Sequence, residues 1–401
     1  MKFDRFPAVA AARADGGVLA DNAGGTQVPR ETILAISEYL ARDNAQQGGT
    51  FARKIRTTEM VAAARAAHAE LLGVPPERVS FGANSTSIAF DLARAISHTV
   101  RSGDRVVVTD TDHYANVIPW TSLARFGATV DAIPVDARGE LDERALADAL
   151  AREPILVALP WASNGTGNVF DVARLADAAK DAGAMVVVDA VQAAPHLPLD
   201  IPPAVDAVFF SLYKVYGPHL GALYAHPDLA ERFFTADDAR LPSPGLNWSM
   251  ETGTQSHEGL AGWLGTMAYL RELGSGNARS AIARIAAFED ELARYALARF
   301  AEREESVALY GRPATEARLP VFAFNLRGVA PDVVASALAA SGIEAALGDY
   351  YTPRLMRTLA PETGGIAVRL SFSHYNDTAD IDRCFAAIDA VRESSAPTIR
   401  S

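Results

Sequence analysis

Short apolar runs that alternate with helix-period stretches constrain the fold of this 401-residue chain more than any other feature. The intervening stretches, such as "FDVARLADAAKDAG", repeat Leu and Ala every three and four residues, which is the spacing of a helix packed on a sheet. Continuous apolar runs separated by such helices indicate a mainly parallel sheet that is covered on both faces. We therefore predict an α/β architecture. The runs are 105–110, 129–135, 154–160, 184–190, 207–212 and 221–226.

The C-terminal third of the sequence has a different order of elements. A helical stretch rich in Ala, Arg and Glu covers residues 258–304, and two strand-like segments, "PVFAFNLRG" and "IAVRLSFSHY", follow with a helix-like segment between them. This order indicates a smaller α+β domain. We predict a large domain over residues 15–257 and a small domain over residues 258–401, to which residues 1–14 also belong. The Pro-rich segment 240–248 is predicted to be a loop.

The composition excludes several classes of function. With 49% hydrophobic residues, the chain is long enough for two domains with buried cores. Its net charge of −12 argues against a surface that binds nucleic acid or an anionic membrane. The sequence has no membrane-length apolar stretch and no signal-peptide pattern at residues 1–20, so we expect no membrane association and a cytoplasmic protein. The single cysteine, Cys384, excludes an internal disulfide, and no histidine spacing indicates a metal site.

Lys214 is the first candidate for chemistry. The chain has only four lysines, so 33 of its 37 basic residues are arginine, and Lys214 lies near the aromatic residues Phe209, Phe210 and Tyr213. An amine can form a Schiff base, whereas a guanidinium cannot. The position also fits a loop lysine whose stem packs on aromatic rings while its ammonium group reaches water. This window alone favours neither interpretation.

Asp189 ends an apolar strand 25 residues before Lys214. In open α/β sheets, ligands bind at the carboxyl ends of the strands, so both residues can face one crevice. Such a pair suits pyridoxal phosphate (PLP), because a lysine can hold its aldehyde as an imine and a carboxylate can keep its pyridine nitrogen protonated. Asp189 also fits a helix N-cap after the strand.

Two further segments can complete such a site. In "GANSTSIAFDLARAI", small polar residues begin a helix, where free backbone N–H groups bind phosphate, although Asn84, Ser85 or Thr86 would also serve as an ordinary N-cap. In "TDTDHYANVIPW", His113 follows a strand and can stack its imidazole on a flat cofactor. A loop histidine without a role is the other interpretation of His113.

The motifs that share one order with a known family are "LADNAGGTQVP", "GANSTS", "TDHYANVIPW", "ASNGTGNVFD", "VDAVQAAPH", "SLYK", "METGTQ" and "VRLSFSHYN". Over residues 18 to 392, the sequence resembles class V aminotransferases of the fold type I PLP enzymes, especially the cysteine desulfurase-like branch. The resemblance implies a PLP-dependent transferase fold of type I, with a mainly parallel mixed sheet in the large domain and a smaller α+β C-terminal domain. It also implies PLP as cofactor, a small-molecule amino-acid substrate and a homodimer with its active site at the subunit interface.

The resemblance implies a role for each matching residue. Lys214 would be the Schiff-base lysine, Asp189 the partner of the pyridine nitrogen and His113 the ring that stacks on the cofactor. Arg369 would bind the substrate α-carboxylate through two parallel hydrogen bonds. The other contacts would come from Asn84, Ser85, Thr86 and Ser211 at the phosphate, Gln192 at the ring oxygen, Asn164 at the ring oxygen or substrate, and Thr254 of the neighbouring subunit. The alternatives are Asn164 as a turn residue, Gln192 as a surface amide and Arg369 as a strand-edge charge.

The sequence departs from the family pattern at two places. Many of these enzymes have a histidine just before the lysine as a phosphate ligand, and this chain has Tyr213, which can donate one hydrogen bond but carries no positive charge. Where persulfide-forming desulfurases keep a nucleophilic cysteine, loop 348–353 carries Tyr350 and Tyr351, which we predict to shape the substrate pocket. The alternative is that the two tyrosines only pack the loop against the small domain. Cys384 lies in an amphipathic helix and is predicted to be a core residue.

We therefore predict a homodimeric PLP enzyme that acts on an L-amino acid through an external aldimine and a quinonoid. The missing thiol favours C–S lyase or β-elimination chemistry on a cysteine-like substrate without a catalytic cysteine. Transamination, epimerisation of an amino acid and a PLP-binding scaffold without turnover stay open as alternatives. A dinucleotide-binding domain is disfavoured because no GxGxxG follows a predicted strand.

Overall fold

The computed structural model describes residues 3–233 and 250–395, and its largest sheet is a mixed sheet of seven strands. The six apolar runs of the sequence form six of these strands. Every strand pair is parallel except the two pairs made by Gly221–Ala225, so the predicted mainly parallel mixed sheet is confirmed. In spatial order the strands are β2 (Val79–Gly82), β8 (Gly221–Ala225), β7 (Ala207–Ser211), β6 (Met185–Asp189), β5 (Leu156–Pro160), β3 (Arg105–Thr109) and β4 (Thr129–Ile133).

Both faces of this sheet are buried, as the continuous apolar runs predict. Val157 and Leu159 belong to the core on one face, whereas Leu156 and Ala158 belong to the core on the other, because successive strand residues point to opposite sides. The first core includes residues of α3 (Ala52–Leu72), α6 (Glu143–Leu150), α7 (Val172–Asp181) and α9 (His257–Leu273), and the second includes residues of α4 (Ser85–Ser97) and α5 (Ile118–Thr121). The other helices here are α1 (Pro7–Ala14), α2 (Arg30–Arg42) and α8 (Pro227–Phe233).

The chain after α9 forms a second, smaller sheet with its own core. This antiparallel sheet has the order β12 (Ala346–Gly348), β13 (Ala367–Ser371), β10 (Val321–Leu326) and β9 (Val307–Leu309). Its core contains a cluster of phenylalanines, in which the Phe300 ring lies 5.6 Å from the Phe322 ring and 4.8 Å from the Phe385 ring between centroids. The helices of this region are α10 (Ala278–Ala301), α11 (Pro331–Ala340), α12 (Pro353–Leu359) and α13 (Thr378–Ser395).

Residues 18–25, which we call the N-terminal strap, contact both sheets. The first two residues of the strap, β1 (Val18–Leu19), pair in parallel with β11 (Ile343–Glu344), and the Ser371 N–H at the end of β13 donates to the Ala20 carbonyl at 2.7 Å. The last residues of the strap reach the turn that follows β7 in the large sheet. The strap therefore brings the small sheet and the carboxyl end of β7 to one place.

The predicted domain boundaries stay predictions, and the predicted loop at 240–248 lies outside the described residues. Within residues 3–233 and 250–395, no helix has both the length and the apolar character needed to cross a membrane.

Candidate active site

A cavity of about 540 Å³ opens between the large sheet and the small one, a volume in the range of small-molecule sites. We call its surface from residues 85–214 the large-domain wall; it follows the carboxyl ends of several strands, where ligands bind in α/β sheets. We call its surface from residues 21–24, residues 346–351 and Arg369 the small-domain wall. The predicted site residues on the two walls are Ser85, Thr86, His113, Asn164, Asp189, Gln192, Tyr213, Lys214, Tyr350, Tyr351 and Arg369.

Lys214 lies on the large-domain wall, in the turn after β7. Its ammonium group donates to the Ala23 carbonyl and, at 3.2 Å, to the Gly24 carbonyl of the N-terminal strap. Burial, and next the positive charge of Arg369, lower the pKa of this ammonium group to about 7. Because the uncharged amine is the form that attacks a carbonyl carbon, a lysine with this pKa can react near neutral pH.

Asp189 is the last residue of β6 and lies on the same wall. Its Oδ1 accepts the Val191 N–H at 2.8 Å, so the carboxylate caps a turn rather than a helix. Burial raises the pKa of this carboxyl group to about 6, although the Val191 N–H and the Lys214 charge oppose the change. The carboxylate is thus held rigidly at the cavity surface, where it can contact a bound ligand.

Asp112 is a second buried acid on the large-domain wall, and the sequence analysis did not single it out. Its carboxylate accepts the Thr109 hydroxyl at 2.6 Å and the Asn116 amide at 2.8 Å. Burial raises its pKa well above the ordinary value, and the nearby charge of Asp189 adds to the effect. Its place directly before His113 in "TDTDHYANVIPW" is the one signal in the sequence that pointed to it.

His113 begins the short turn that follows this acid. Its Nδ1 accepts the Ala115 N–H at 3.0 Å, and its ring lies 5.4 Å from the Tyr351 ring between centroids. Burial, and next the positive charges of Lys214 and Arg369, lower the pKa of the imidazole to about 4. His113 is therefore neutral at physiological pH, as suits a flat ring that stacks on another ring.

The N-terminus of α4 is the predicted phosphate site. Asn84 is its N-cap, because the Asn84 side-chain oxygen accepts the Ser87 N–H at 2.8 Å. The Ser211 hydroxyl accepts the Ser85 N–H at 3.0 Å and donates to the Ser85 hydroxyl at 2.8 Å. Ser85 and Thr86 reach the cavity surface, whereas Asn84 and Ser211 hold the turn in place without lining the cavity.

Tyr213 and Thr254 are the remaining predicted cofactor contacts. The half-buried Tyr213 ring stacks on His219 at a centroid distance of 5.0 Å, and burial raises the pKa of its phenol, which stays an uncharged donor. Thr254 is exposed in the segment before α9 and does not line the cavity of its own chain. Its contact with the cofactor of a neighbouring subunit stays a prediction.

Arg369 lies on β13, an inner strand, and is only 4% exposed, so it is not a strand-edge charge in water. Its guanidinium lies 4.5 Å from the Tyr350 ring centroid. Its Nη1 donates to the Asn164 carbonyl at 2.9 Å, and its Nη2 donates to Asp21 Oδ1 at 2.7 Å. Its Nε is buried and has no hydrogen-bond partner among the described residues. The sequence analysis assigned no role to Asp21, because nothing in "LADNAGG" indicates contact with a strand near the other end of the chain.

The two predicted amides are both buried. The Asn164 side chain donates to the Tyr350 carbonyl at 2.7 Å, and the Gln192 side chain donates to the Ala23 carbonyl at 2.8 Å. Gln192 is therefore not a surface amide. One N–H of each amide is used within the protein, and the second N–H is left for a ligand.

Loop 348–353 has an unusual backbone at the two tyrosines. Tyr350 and Tyr351 have φ angles of 55° and 59°, a left-handed conformation that costs free energy for residues other than glycine. Their carbonyls accept the Asn164 amide and the Tyr114 N–H, and the Tyr350 hydroxyl donates to the Ala367 carbonyl. Tyr350 is thereby buried against Arg369, whereas Tyr351 is 68% exposed at the cavity opening.

The side chains on the cavity surface fit PLP in charge and chemistry. Ser85 and Thr86 at the start of α4 can offer hydroxyl groups to a phosphate, Lys214 offers an amine to an aldehyde, and Asp189 offers a carboxylate to a pyridinium nitrogen. Arg369, a buried cation on the cavity surface, offers its guanidinium to an anionic group.

The sequence matches the family Aminotransferase class-V over residues 18–384, and the chain therefore belongs to this family. The family is PLP-dependent and its enzymes act on amino acids. The protein is thus a class V PLP enzyme. Within this family, it is related in sequence to the cysteine desulfurases.

A probable cysteine desulfurase of Halobacterium salinarum is 31% identical over 403 residues, which cover 95% of this chain and 92% of that protein. The aminotransferase-like protein FGM3 of Gibberella zeae is 28% identical over 388 residues, which cover 93% and 94%. The apo structure of a cysteine desulfurase from Thermococcus onnurineus superimposes with a TM-score of 0.86 at 25% identity, and covers 97% of this chain and 99% of that chain. These comparisons confirm the predicted family and fold class.

Proposed function

We propose that this enzyme uses PLP held by Lys214 to break the C–S bond of a cysteine-type amino acid, and that the sulfur never resides on the protein. The overall reaction consumes one water and yields a 2-oxo acid, ammonia and sulfide or a small thiol. The Cα proton and the Cβ–S bond of the substrate are lost, the departing sulfur takes a proton, and no external oxidant or reductant is needed.

The observation that carries this proposal is the position of the single cysteine. Cys384 is 0% exposed in the small-domain core, and it does not line the cavity. Burial raises the pKa of its thiol to about 12, so almost no thiolate forms at neutral pH. At the place where persulfide-forming desulfurases keep a mobile thiol, loop 348–353 presents Tyr350 and Tyr351, and a phenol does not accept sulfur in this way.

The predicted site residues on and beside the large-domain wall have the following roles in this reaction. PLP, when bound, supplies an electron sink for the bonds at Cα. Lys214 anchors it and then, as an amine, carries the Cα proton. Asp189 keeps the pyridine nitrogen protonated, and His113 stacks as a neutral ring. Ser85 and Thr86 hold the phosphate, with Asn84 and Ser211 supporting their turn, and Gln192 and Tyr213 contribute hydrogen bonds.

Arg369 binds the substrate α-carboxylate through its guanidinium on the cavity surface. Asn164 contacts the ring oxygen or the substrate, and the exposed ring of Tyr351 leaves space for a substituent on sulfur.

A homodimer is part of the proposal. Ile33 and Leu34 on α2 and Phe51 and Ile55 near the start of α3 are each between 44% and 59% exposed, and a second copy would cover such an apolar surface. Thr254 of that copy would then reach the phosphate. Light scattering on the purified protein tests this arrangement, and a monomer at all concentrations would contradict it.

The test of the reaction is a substrate panel with product analysis. L-cysteine, S-alkyl cysteines and L-alanine are each incubated with the holoenzyme, and 2-oxo acid, ammonia and released sulfur are measured. Equal amounts of oxo acid, ammonia and thiol support elimination. Oxo acid formed only with an amino acceptor indicates transamination, loss of chirality with retained substrate indicates epimerisation, and no turnover with any amino acid indicates a scaffold.

Intact-mass spectrometry after turnover, with and without a reductant, tests the absence of a protein persulfide. We expect no added sulfur on the chain. A reductant-sensitive gain of one sulfur that disappears in Cys384→Ala would contradict the proposal and restore a desulfurase with a relocated thiol.

A further inference from the structure

The two side chains of the ion pair between Arg369 and Asp21 differ in their exposure to solvent. The two side chains meet at 2.7 Å between Nη2 and Oδ1. The Arg369 side chain is 5% exposed, whereas that of Asp21 is 37% exposed and lines the cavity. One partner is therefore fixed in the protein, and the other stands at the surface of the space that a substrate would enter.

The guanidinium is held in place without Asp21. Its Nη1 donates to the Asn164 carbonyl at 2.9 Å, and its face lies over the Tyr350 ring. Among residues 3–233 and 250–395, Asp21 is the one acidic side chain within salt-bridge distance of Arg369. The contribution of Asp21 is thus chiefly its negative charge, which compensates a cation that burial would otherwise leave unpaired.

The Asp21 carboxylate itself is loosely held. In the described parts of the chain, its side chain makes no hydrogen bond other than the one to Arg369. It lies over Gly24, where a Cβ atom would come within 2.7 Å of Oδ2, so the glycine leaves the space that the carboxylate occupies. A carboxylate with one partner and partial access to water can leave that partner at small cost when another anion takes its place.

We propose that Asp21 is a place-holder for the substrate carboxylate. In the free enzyme, Asp21 neutralises Arg369. When the substrate binds, its α-carboxylate takes the position of the Asp21 carboxylate, and Asp21 turns toward the solvent in the cavity. When the product leaves, Asp21 returns, so the buried cation is never left without an anion. Asp21 is a positioning residue that acts through Arg369 and does not touch the reacting atoms. The proposal rests on the carboxylate-binding role proposed above for Arg369.

The place-holder role predicts whether removing the Asp21 charge strengthens or weakens the binding of carboxylate ligands. Asp21→Asn keeps the size of the side chain and an oxygen that accepts from Nη2, but it removes the competing charge. Carboxylate ligands should then bind more tightly, by about two- to fivefold, which is the range expected for one partly exposed charge. If Asp21 only oriented Arg369, the same substitution would weaken their binding or leave it unchanged.

The experiment titrates the holoenzyme with propanoate by calorimetry at low salt. Propanoate carries the carboxylate but no amine, so it cannot react with the cofactor, and propanamide is the uncharged control ligand. The variants are Asp21→Asn, Asp21→Ser in case the first does not fold, Asp21→Glu and Arg369→Leu. Asp110→Asn is the matched control, because Asp110 also pairs with an arginine, Arg354, at 3.1 Å but lies outside the cavity surface.

We expect tighter propanoate binding in Asp21→Asn and Asp21→Ser, near wild-type binding in Asp21→Glu and Asp110→Asn, and no change for propanamide. The gain should shrink as salt is raised, because screening weakens partly exposed charges. With L-cysteine, Asp21→Asn should lower KM without raising kcat.

Unchanged or weaker propanoate binding in both Asp21 variants, with binding lost in Arg369→Leu, would overturn the place-holder role and leave the role of Arg369 intact. Wild-type propanoate binding in Arg369→Leu would instead overturn the proposed carboxylate site itself.

Discussion

The two walls of the cavity are built in different ways. On the large-domain wall, Asp189 and His113 are each held by the N–H two residues later in the sequence, whereas Lys214 and Gln192 donate to carbonyls of the N-terminal strap. On the small-domain wall, the contacts join distant segments: Arg369 meets Asp21 across 348 residues of sequence and Asn164 across 205. The acid and the histidine of the first wall are thus set by local turns, whereas the arginine of the second wall is set by contacts between distant segments.

From this difference we expect the two walls to contribute to different parts of the reaction, namely the chemistry at the cofactor and the binding of the substrate. Asp189 and His113, two of the groups assigned to the cofactor, are held by local turns of the large-domain wall, whereas Lys214 and Gln192 also contact the N-terminal strap. The groups assigned to the substrate carboxylate lie on the wall that depends on packing. Substitutions on the large-domain wall should therefore change kcat, and substitutions on the small-domain wall should change KM.

Asp189→Asn is expected to give the largest effect among the following variants. A neutral amide cannot hold a charged pyridinium nitrogen, so kcat should fall by about 100- to 1,000-fold while the cofactor stays attached. Steady-state kinetics and the visible spectrum measure both. Asp171→Asn is the matched control, because Asp171 caps α7 outside the cavity and asparagine caps equally well. Near-normal turnover of Asp189→Asn would mean that Asp189 only caps its turn.

Arg369→Leu tests the other wall. Loss of a buried, hydrogen-bonded charge partner costs about 2 kcal/mol or more in binding, so KM for a carboxylate substrate should rise by about 30-fold with a smaller change in kcat. The comparison substrate is the matching amine without the carboxylate, for which KM should stay the same. An equal loss on both substrates would remove the proposed division between the walls.

The pH dependence of cofactor loading should report Lys214. Because its pKa in the folded protein is lowered to about 7, the uncharged amine is the main form above pH 7 and becomes scarcer by about tenfold for each pH unit below it. The rate at which apoenzyme takes up PLP should therefore rise up to pH 7 and level off above it. A rate that keeps rising toward pH 10 would indicate a solvated lysine.

Cys384→Ala should have the smallest effect on activity. The thiol is fully buried in the small-domain core, away from both walls, so kcat and KM should stay within twofold of the wild-type values. Removing a buried sulfur should lower the free energy of unfolding by about 1 kcal/mol, as measured by denaturant unfolding. A loss of turnover in a variant that remains folded would show that the thiol takes part in the reaction.

The same contrast explains how much of the site the sequence could predict. Asp189, Lys214 and His113 follow apolar strands, and strand ends meet at one edge of a parallel sheet, so pattern and topology were sufficient to bring them together. Asn84 and Ser211 cap and brace the turn at the start of α4, because a helix start must satisfy its own N–H groups, and their contact with the phosphate stays a prediction.

The small-domain wall was less predictable. Asp21 lies beside β13 through an isolated bridge with Ser371, and a bridge of one residue pair is too short for a sequence pattern to indicate its contact with Arg369. The left-handed backbone at Tyr350 and Tyr351 could not be predicted from the sequence either, because tyrosine does not favour that conformation and tertiary contacts impose it. Arg369 was found only through the resemblance of "VRLSFSHYN" to the family.

Reduction with borohydride followed by peptide mapping tests the central claim most directly. The holoenzyme is reduced, digested and searched by mass spectrometry for lysine that carries the cofactor. We predict a single labelled site at Lys214, whose amine faces the cavity with a lowered pKa. Lys180 forms an ion pair with Asp206 at 2.7 Å and does not line the cavity, so it should stay unlabelled. A label on Lys180 or Lys54 in place of Lys214, or no label on any lysine, would contradict the assignment of this cavity as the PLP site.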